Sequence, residues 1–122
     1  MGKIVGVVVH GDPKIILTDE GKIVQKNIEK CNNIKNTRID EYIIMPNHIH
    51  IIIKLQNGSP WTTTPTISQI IISFKTVITK EIGYSIWQRN YYEHIIRNED
   101  EYLKIREYII NNPYNWEKDK YY

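Results

Sequence analysis

The sequence predicts an α+β fold, an antiparallel sheet with helices packed on it. Three observations lead there. Four β-branched or aromatic runs, at residues 3–9, 39–45, 48–55 and 87–96, are bounded by turn signals. Between and after them lie segments with apolar residues at helical spacing. With 122 residues, the chain has enough length for one domain around one core.

Residues 3–9 read as a strand. His10-Gly11-Asp12-Pro13 signals a turn, and residues 14–17 resume extended structure, so the two together read as a hairpin. Thr18 or Asp19 caps a helix running to Cys31, with Val24, Ile28 and Cys31 on one face. Residues 32–36 are a polar break, and 39–45 form the second strand. Pro46 cannot donate to a ladder and belongs in the turn Met45-Pro46-Asn47. The third strand, 48–55, then runs antiparallel to the second. Residues 56–65, rich in Gly, Ser, Thr and Pro, read as a loop. Ile67, Ile70, Ile71, Phe74 and Ile78 form a helical stripe over 66–82 that Gly83 ends. Residues 87–96 read as a fourth core strand. Asn98-Glu99-Asp100-Glu101 opens a last helix, expected to stop near Asn111, before Pro113. The tail, 114–122, is aromatic and charged.

Composition narrows the function classes. No apolar run approaches the roughly 20 residues of a membrane span, and the first residues lack a signal-peptide pattern. A single cysteine, Cys31, excludes an internal disulfide framework and fits a reducing cytoplasm. The net charge of +2 permits an anionic partner without arguing for one, because proteins that grip several duplex phosphates usually carry more.

The candidate chemistry starts at His48 and His50. Strand alternation points both imidazoles to one face, which makes half of a metal site or a pair of hydrogen-bonded strand residues. Tyr108 and Asn112 lie four residues apart on one face of the last helix. A tyrosine hydroxyl, with a pKa of about 10, is a weak nucleophile unless a metal polarises and orients its electrophile. Asn112 is either an oxygen ligand beside the histidines or a helix C-terminal cap. Two imidazole nitrogens and an amide oxygen suit either Mg²⁺ or Mn²⁺, although imidazole is a better ligand for Mn²⁺ than for Mg²⁺. Tyr91 and Tyr92 read as stacking surfaces for bases or as packing residues. Lys75, Arg89 and Arg97 read as phosphate contacts or solvated charges. His94 reads as a structural residue close enough to approach the site.

The segments YIIMPNHIHIII, SFKTVITKEI, IWQRNYYEHIIRNEDEYLKIREYIINNP and NWEKDKYY resemble the single-tyrosine HUH transposases, most of all their REP-associated tyrosine transposase branch. The resemblance runs in order through nearly the whole chain. It implies a ferredoxin-like or RRM-like sheet. His48 and His50 would be the HUH metal ligands, Tyr108 the nucleophile and Asn112 a further ligand to Mg²⁺ or Mn²⁺. The implied reaction is cleavage and rejoining of single-stranded DNA through a 5′-phosphotyrosine link, beside DNA hairpins that the family recognises. It further implies a bacterial, nucleoid-associated protein acting as a monomer or a homodimer. Relative to the family, the chain begins inside the domain. A first core strand is therefore expected to be missing, its place taken by residues 3–9 or covered by another chain. The alternative reading is a DNA-hairpin-binding module that no longer cleaves.

Overall fold

The computed structural model describes residues 3–11, 19–45, 48–56 and 66–115, without the side chains of 19–20, 88–90 and 112–115. The expectations for residues 14–17, for the turn at 46–47, for the loop at 57–65 and for the tail beyond Asn115 lie outside these residues, as does the capping role of Thr18.

The elements run β1 (Lys3–Gly11), α1 (Asp19–Lys30), a 3₁₀ turn (Cys31–Asn33), β2 (Thr37–Met45), β3 (His48–Leu55), α2 (Ile67–Ile82), β4 (Trp87–Ile96) and α3 (Glu99–Asn115). The four strands form one antiparallel sheet in the order β2-β3-β1-β4. That succession and order are those of the β-α-β-β-α-β ferredoxin-like unit. The helix α3 is added after it.

Two expectations change here. Instead of forming one arm of a hairpin with residues 14–17, β1 is an inner strand, paired with β3 from Lys3 to His10 and with β4 from Ile4 to Gly11. Its run of valines suits a strand covered on both faces. The helix α3 also continues through Pro113 to Asn115. Proline there forgoes the one hydrogen bond that its missing N–H would have donated to Ile109. That loss falls in the last turn and does not end the helix.

Strand alternation divides the sheet into two unequal faces. Val5, Val7, Val9, Ile49, Ile51 and Ile53 point toward α1 and α2, where they meet Val24, Ile28, Ile70, Ile71, Phe74 and Ile78. Among the described residues this main core holds sixteen buried ones, and burying each large aliphatic side chain contributes about 1.5–3 kcal/mol. The stripe expected on α2 is the one buried. Its start is a capping box, with Thr66 accepting from the Gln69 N–H at 3.1 Å and Gln69 accepting from the Thr66 N–H at 2.9 Å. Its end is Gly83 at φ 98°, a left-handed conformation open to glycine at little cost.

The opposite face, under α3, has a far smaller core: Ile52, Ile96 and Ile109 are buried, with Ile4, Ile43, Tyr102, Ile105 and Tyr108 against them. Polar groups on this face therefore carry more of the task of holding α3.

Cys31 sits in the main core, and burial pushes its thiol up to about 11. The thiolate is the reactive form, so Ellman's reagent should label Cys31 only at the rate at which the protein opens. Labelling at the speed of a free thiol under native conditions at pH 8 would show that the thiol is not held in the core.

Candidate functional site

The face under α3 collects the residues singled out for chemistry. His48 and His50 lie two positions apart on β3 and point to this face, as alternation requires. They are more deeply placed than a pair at the sheet surface, with His48 at 0% and His50 at 5% exposure. Desolvation holds both imidazoles down to about 4; a second cause is His10 beside His48 and His48 beside His50. At neutral pH both are uncharged, which is the form of imidazole that binds metals.

Tyr108 comes from α3. Its half-buried ring lies against His50, with centroids 5.3 Å apart and planes inclined by 56°. Residues 58 positions apart in sequence thus meet where the two elements cross. Asn112 follows one helical turn after Tyr108 on the same helix, but its side chain is outside the described residues.

His10 belongs to this face too. It pairs across the ladder with His48, their rings 5.7 Å apart. Its other neighbour is Tyr92, edge-on at 5.6 Å. Reading His10-Gly11 as a turn hid it. A longer first strand would have placed it on the face of Ile4, Val8 and the histidine pair. Among the described residues, no three of His, Cys, Asp and Glu are grouped to hold a metal ion. The donors present are two neutral imidazoles, which would suit a divalent ion if oxygen donors completed the set.

Alternation also separates the remaining candidates. Tyr92 is 65% exposed on the histidine face. Tyr91 points the other way, packs on the main core and shares a 2.6 Å hydrogen bond with Ser68 on α2. Trp87 likewise packs on Phe74, with ring centroids 5.5 Å apart. Of this aromatic run, Tyr92 is the ring exposed beside the histidines, whereas Tyr91 and Trp87 pack on the main core. Lys75 lies on α2, across the sheet from the histidine pair, and burial lowers its pKa. Arg97 is exposed in the short link between β4 and α3. Arg89 lies on β4, with its side chain outside the described residues.

Between β4 and α3 an open cleft of about 730 Å³ runs beside the pair, lined among others by His50, Tyr92, His94, Glu101, Lys104 and Ile105. His94 and Glu101 bridge it with a 2.5 Å hydrogen bond. The helix start has half of the expected capping box. Asn98 Oδ1 accepts from the Glu101 N–H at 2.8 Å, while the Glu101 carboxylate turns to His94.

On its other side α3 is tied to β2 and β3. The Tyr102 hydroxyl donates to Asp40 at 2.6 Å, and the carboxylate of Asp40 raises the Tyr102 pKa. Lys54 lies 3.4 Å from Asp40 and 5.1 Å from the Tyr102 ring centroid. Arg106 donates to Glu41 at 3.3 Å.

No family model matches the chain. An uncharacterized protein of Haemophilus influenzae is 43% identical over 111 residues, covering 70% of this chain and 59% of that protein. The REP-associated tyrosine transposase of Escherichia coli is 28% identical over 106 residues, covering 84% of this chain and 61% of the transposase. The chain thus spans less than two thirds of the length of either curated relative. Among solved structures, a REP-associated tyrosine transposase bound to a REP hairpin superposes with a TM-score of 0.79 and 25% identity, over 98% of this chain and 71% of the other. A transposase candidate of Deinococcus radiodurans shares the fold, with a TM-score of 0.61 at 11% identity and 91% coverage of each chain. No helix among the described residues is long and apolar enough to cross a membrane.

Proposed function

We propose that this chain, a relative of the REP-associated tyrosine transposases, cleaves and rejoins single-stranded DNA beside a hairpin, with Tyr108 as its nucleophile. The observation that carries the reading is the meeting of Tyr108 with His50, ring against ring at 5.3 Å, next to a second neutral imidazole. The solved relative bound to a REP hairpin supports hairpin DNA as the partner.

In this reading His48 and His50 hold Mg²⁺ or Mn²⁺, and Asn112 supplies an oxygen from one turn beyond Tyr108. When bound, the ion polarises the scissile phosphate. Tyr108 Oη attacks phosphorus in line, the new O–P bond replaces the bond to the 3′ oxygen, and that oxygen leaves as a hydroxyl. The phosphotyrosine link retains the bond for rejoining, so ATP is not required. Burial beneath α3 keeps the imidazoles unprotonated at neutral pH, ready to ligate. Tyr92, exposed beside His10, offers an aromatic face to an unpaired base next to the break. Arg97 and Arg89 serve the phosphate backbone. Lys75, on the far face, would contact phosphates away from the break.

The test is an end-labelled oligonucleotide with a palindromic hairpin and single-stranded flanks, incubated with the protein and Mn²⁺. A labelled band that resists SDS and disappears with EDTA is expected. Binding without any such band, across hairpins with varied flanks, would favour the hairpin-binding module that does not cleave.

A further inference from the structure

The strand β2 changes face partway along. Ile39, Tyr42 and Ile44 pack on the main core, whereas Ile43 packs under α3. In an uninterrupted strand Ile39 and Ile43 would share a face. The ladder shows the cause: Ile39 pairs with Ile53 and Glu41 with Ile52, so β2 advances two residues while β3 advances one. Asp40 is the extra residue of a β-bulge, a feature that re-aims side chains.

The bulge lets consecutive residues act on the same helix. Asp40, whose side chain is only 12% exposed, accepts from Tyr102, and Glu41 accepts from Arg106. Regular alternation would send one of the two to the other side of the sheet. Lys54 completes the arrangement, paired with Asp40 and set over the ring of Tyr102. Tyr102 and Arg106 precede Tyr108 by six and two positions on α3. Among the described residues, three form the buried apolar core on this face against sixteen on the other, so apolar contact gives α3 few fixed points there.

We infer that the Asp40 bulge, acting through Tyr102 and Lys54, is a positioning element that sets the pose of α3 and so holds Tyr108 against His50. The inference rests on the reading of Tyr108 as the nucleophile. Asp40 is hydrogen-bonded to Tyr102 and ion-paired with Lys54 and Arg106. Its effect is on geometry, and a displacement of about 1 Å at a reacting group can cost about 100-fold in rate.

The experiment compares Asp40→Ala, Tyr102→Phe and the double variant with the unaltered chain. Adduct formation is timed in single turnover at saturating hairpin oligonucleotide with Mn²⁺, oligonucleotide affinity is measured by anisotropy, and exchange of α3 amides is followed by mass spectrometry. Each single variant is expected to form the adduct about 10- to 100-fold more slowly with Kd unchanged. The double variant should be no slower than the slower single, because both remove one shared interaction. Amides of α3 should exchange faster while those of α1 and α2 do not. Asp40→Asn keeps an acceptor for Tyr102 and should recover part of the rate. Ile70→Val, on the opposite face, lowers the melting temperature without touching α3 and should leave the rate intact. Wild-type rates in Asp40→Ala and Tyr102→Phe would overturn the inference, as would losses that merely track melting temperature and appear equally in Ile70→Val. If the unaltered chain forms no adduct on any hairpin, the nucleophile reading fails. The α3 exchange then decides the positioning claim, and unchanged exchange in the variants overturns it.

Discussion

Replacing Tyr108 with Phe should abolish the covalent DNA adduct while leaving the fold and hairpin binding in place. The ring of Tyr108 is half-buried against Ile52, Ile96 and Ile109, and phenylalanine keeps all of that apolar contact. Only the hydroxyl is lost, and with it the sole atom of the side chain able to attack phosphorus. Loss of a nucleophile typically costs more than about 10³-fold in rate, so the adduct should fall below detection. The melting temperature should move little by comparison. Tyr102→Phe is the informative companion. It removes a hydroxyl from the same helix and the same apolar cluster, yet that hydroxyl is engaged with Asp40. Tyr102→Phe should slow the adduct without eliminating it. An adduct of undiminished yield in Tyr108→Phe would sink the assignment and move attention to Tyr92, the exposed tyrosine on the histidine face.

The elements were legible because their periodicities were. The stripe of α2 and its terminal glycine could be read in order, and the structure buries the same five residues. The histidine pair was legible for a related reason: a period of two fixes which residues share a face, whatever the neighbours of the strand. What escaped was set by partners distant in sequence. The inner position of β1 depends on pairing with β3 and β4, and nothing local distinguishes it from a hairpin arm. His10 was lost with it, because a turn signal at Gly11 outweighed two more residues of strand. The separation of Tyr91 from Tyr92 followed from alternation and could have been drawn in advance. The bulge at Asp40 also left a trace, since Ile39 and Tyr42 pack on one core despite a spacing of three. Only the ladder with β3 shows that the odd spacing is a bulge.

Acid should destabilise this protein in a window set by its buried histidines. In the unfolded chain an imidazole titrates near 6.5, whereas His48 and His50 are held down to about 4 in the folded state. Between those values the unfolded state binds more protons, so stability rises with pH there and falls as pH drops through it. The contribution is complete above about 6.5 and exhausted below about 4. Each histidine accounts for up to about 3 kcal/mol, a large share of the 5–15 kcal/mol typical of a whole domain. Urea midpoints should therefore decline from pH 7 to pH 4.5. His48→Leu should decline less steeply, by the loss of one proton from the linkage. Mn²⁺ supplies a second reading of the same groups. An ion bound to both imidazoles raises the midpoint at pH 7.5 by mass action, and protons competing for the unfolded histidines add nothing to that gain. At pH 5 the folded imidazoles remain largely neutral, so the Mn²⁺ increment should persist there and vanish only near pH 4. A midpoint flat from pH 7 to 4.5 would show that the two rings are not held neutral by burial. An Mn²⁺ increment equal in the unaltered chain and in His48→Leu would place the ion elsewhere than on the pair.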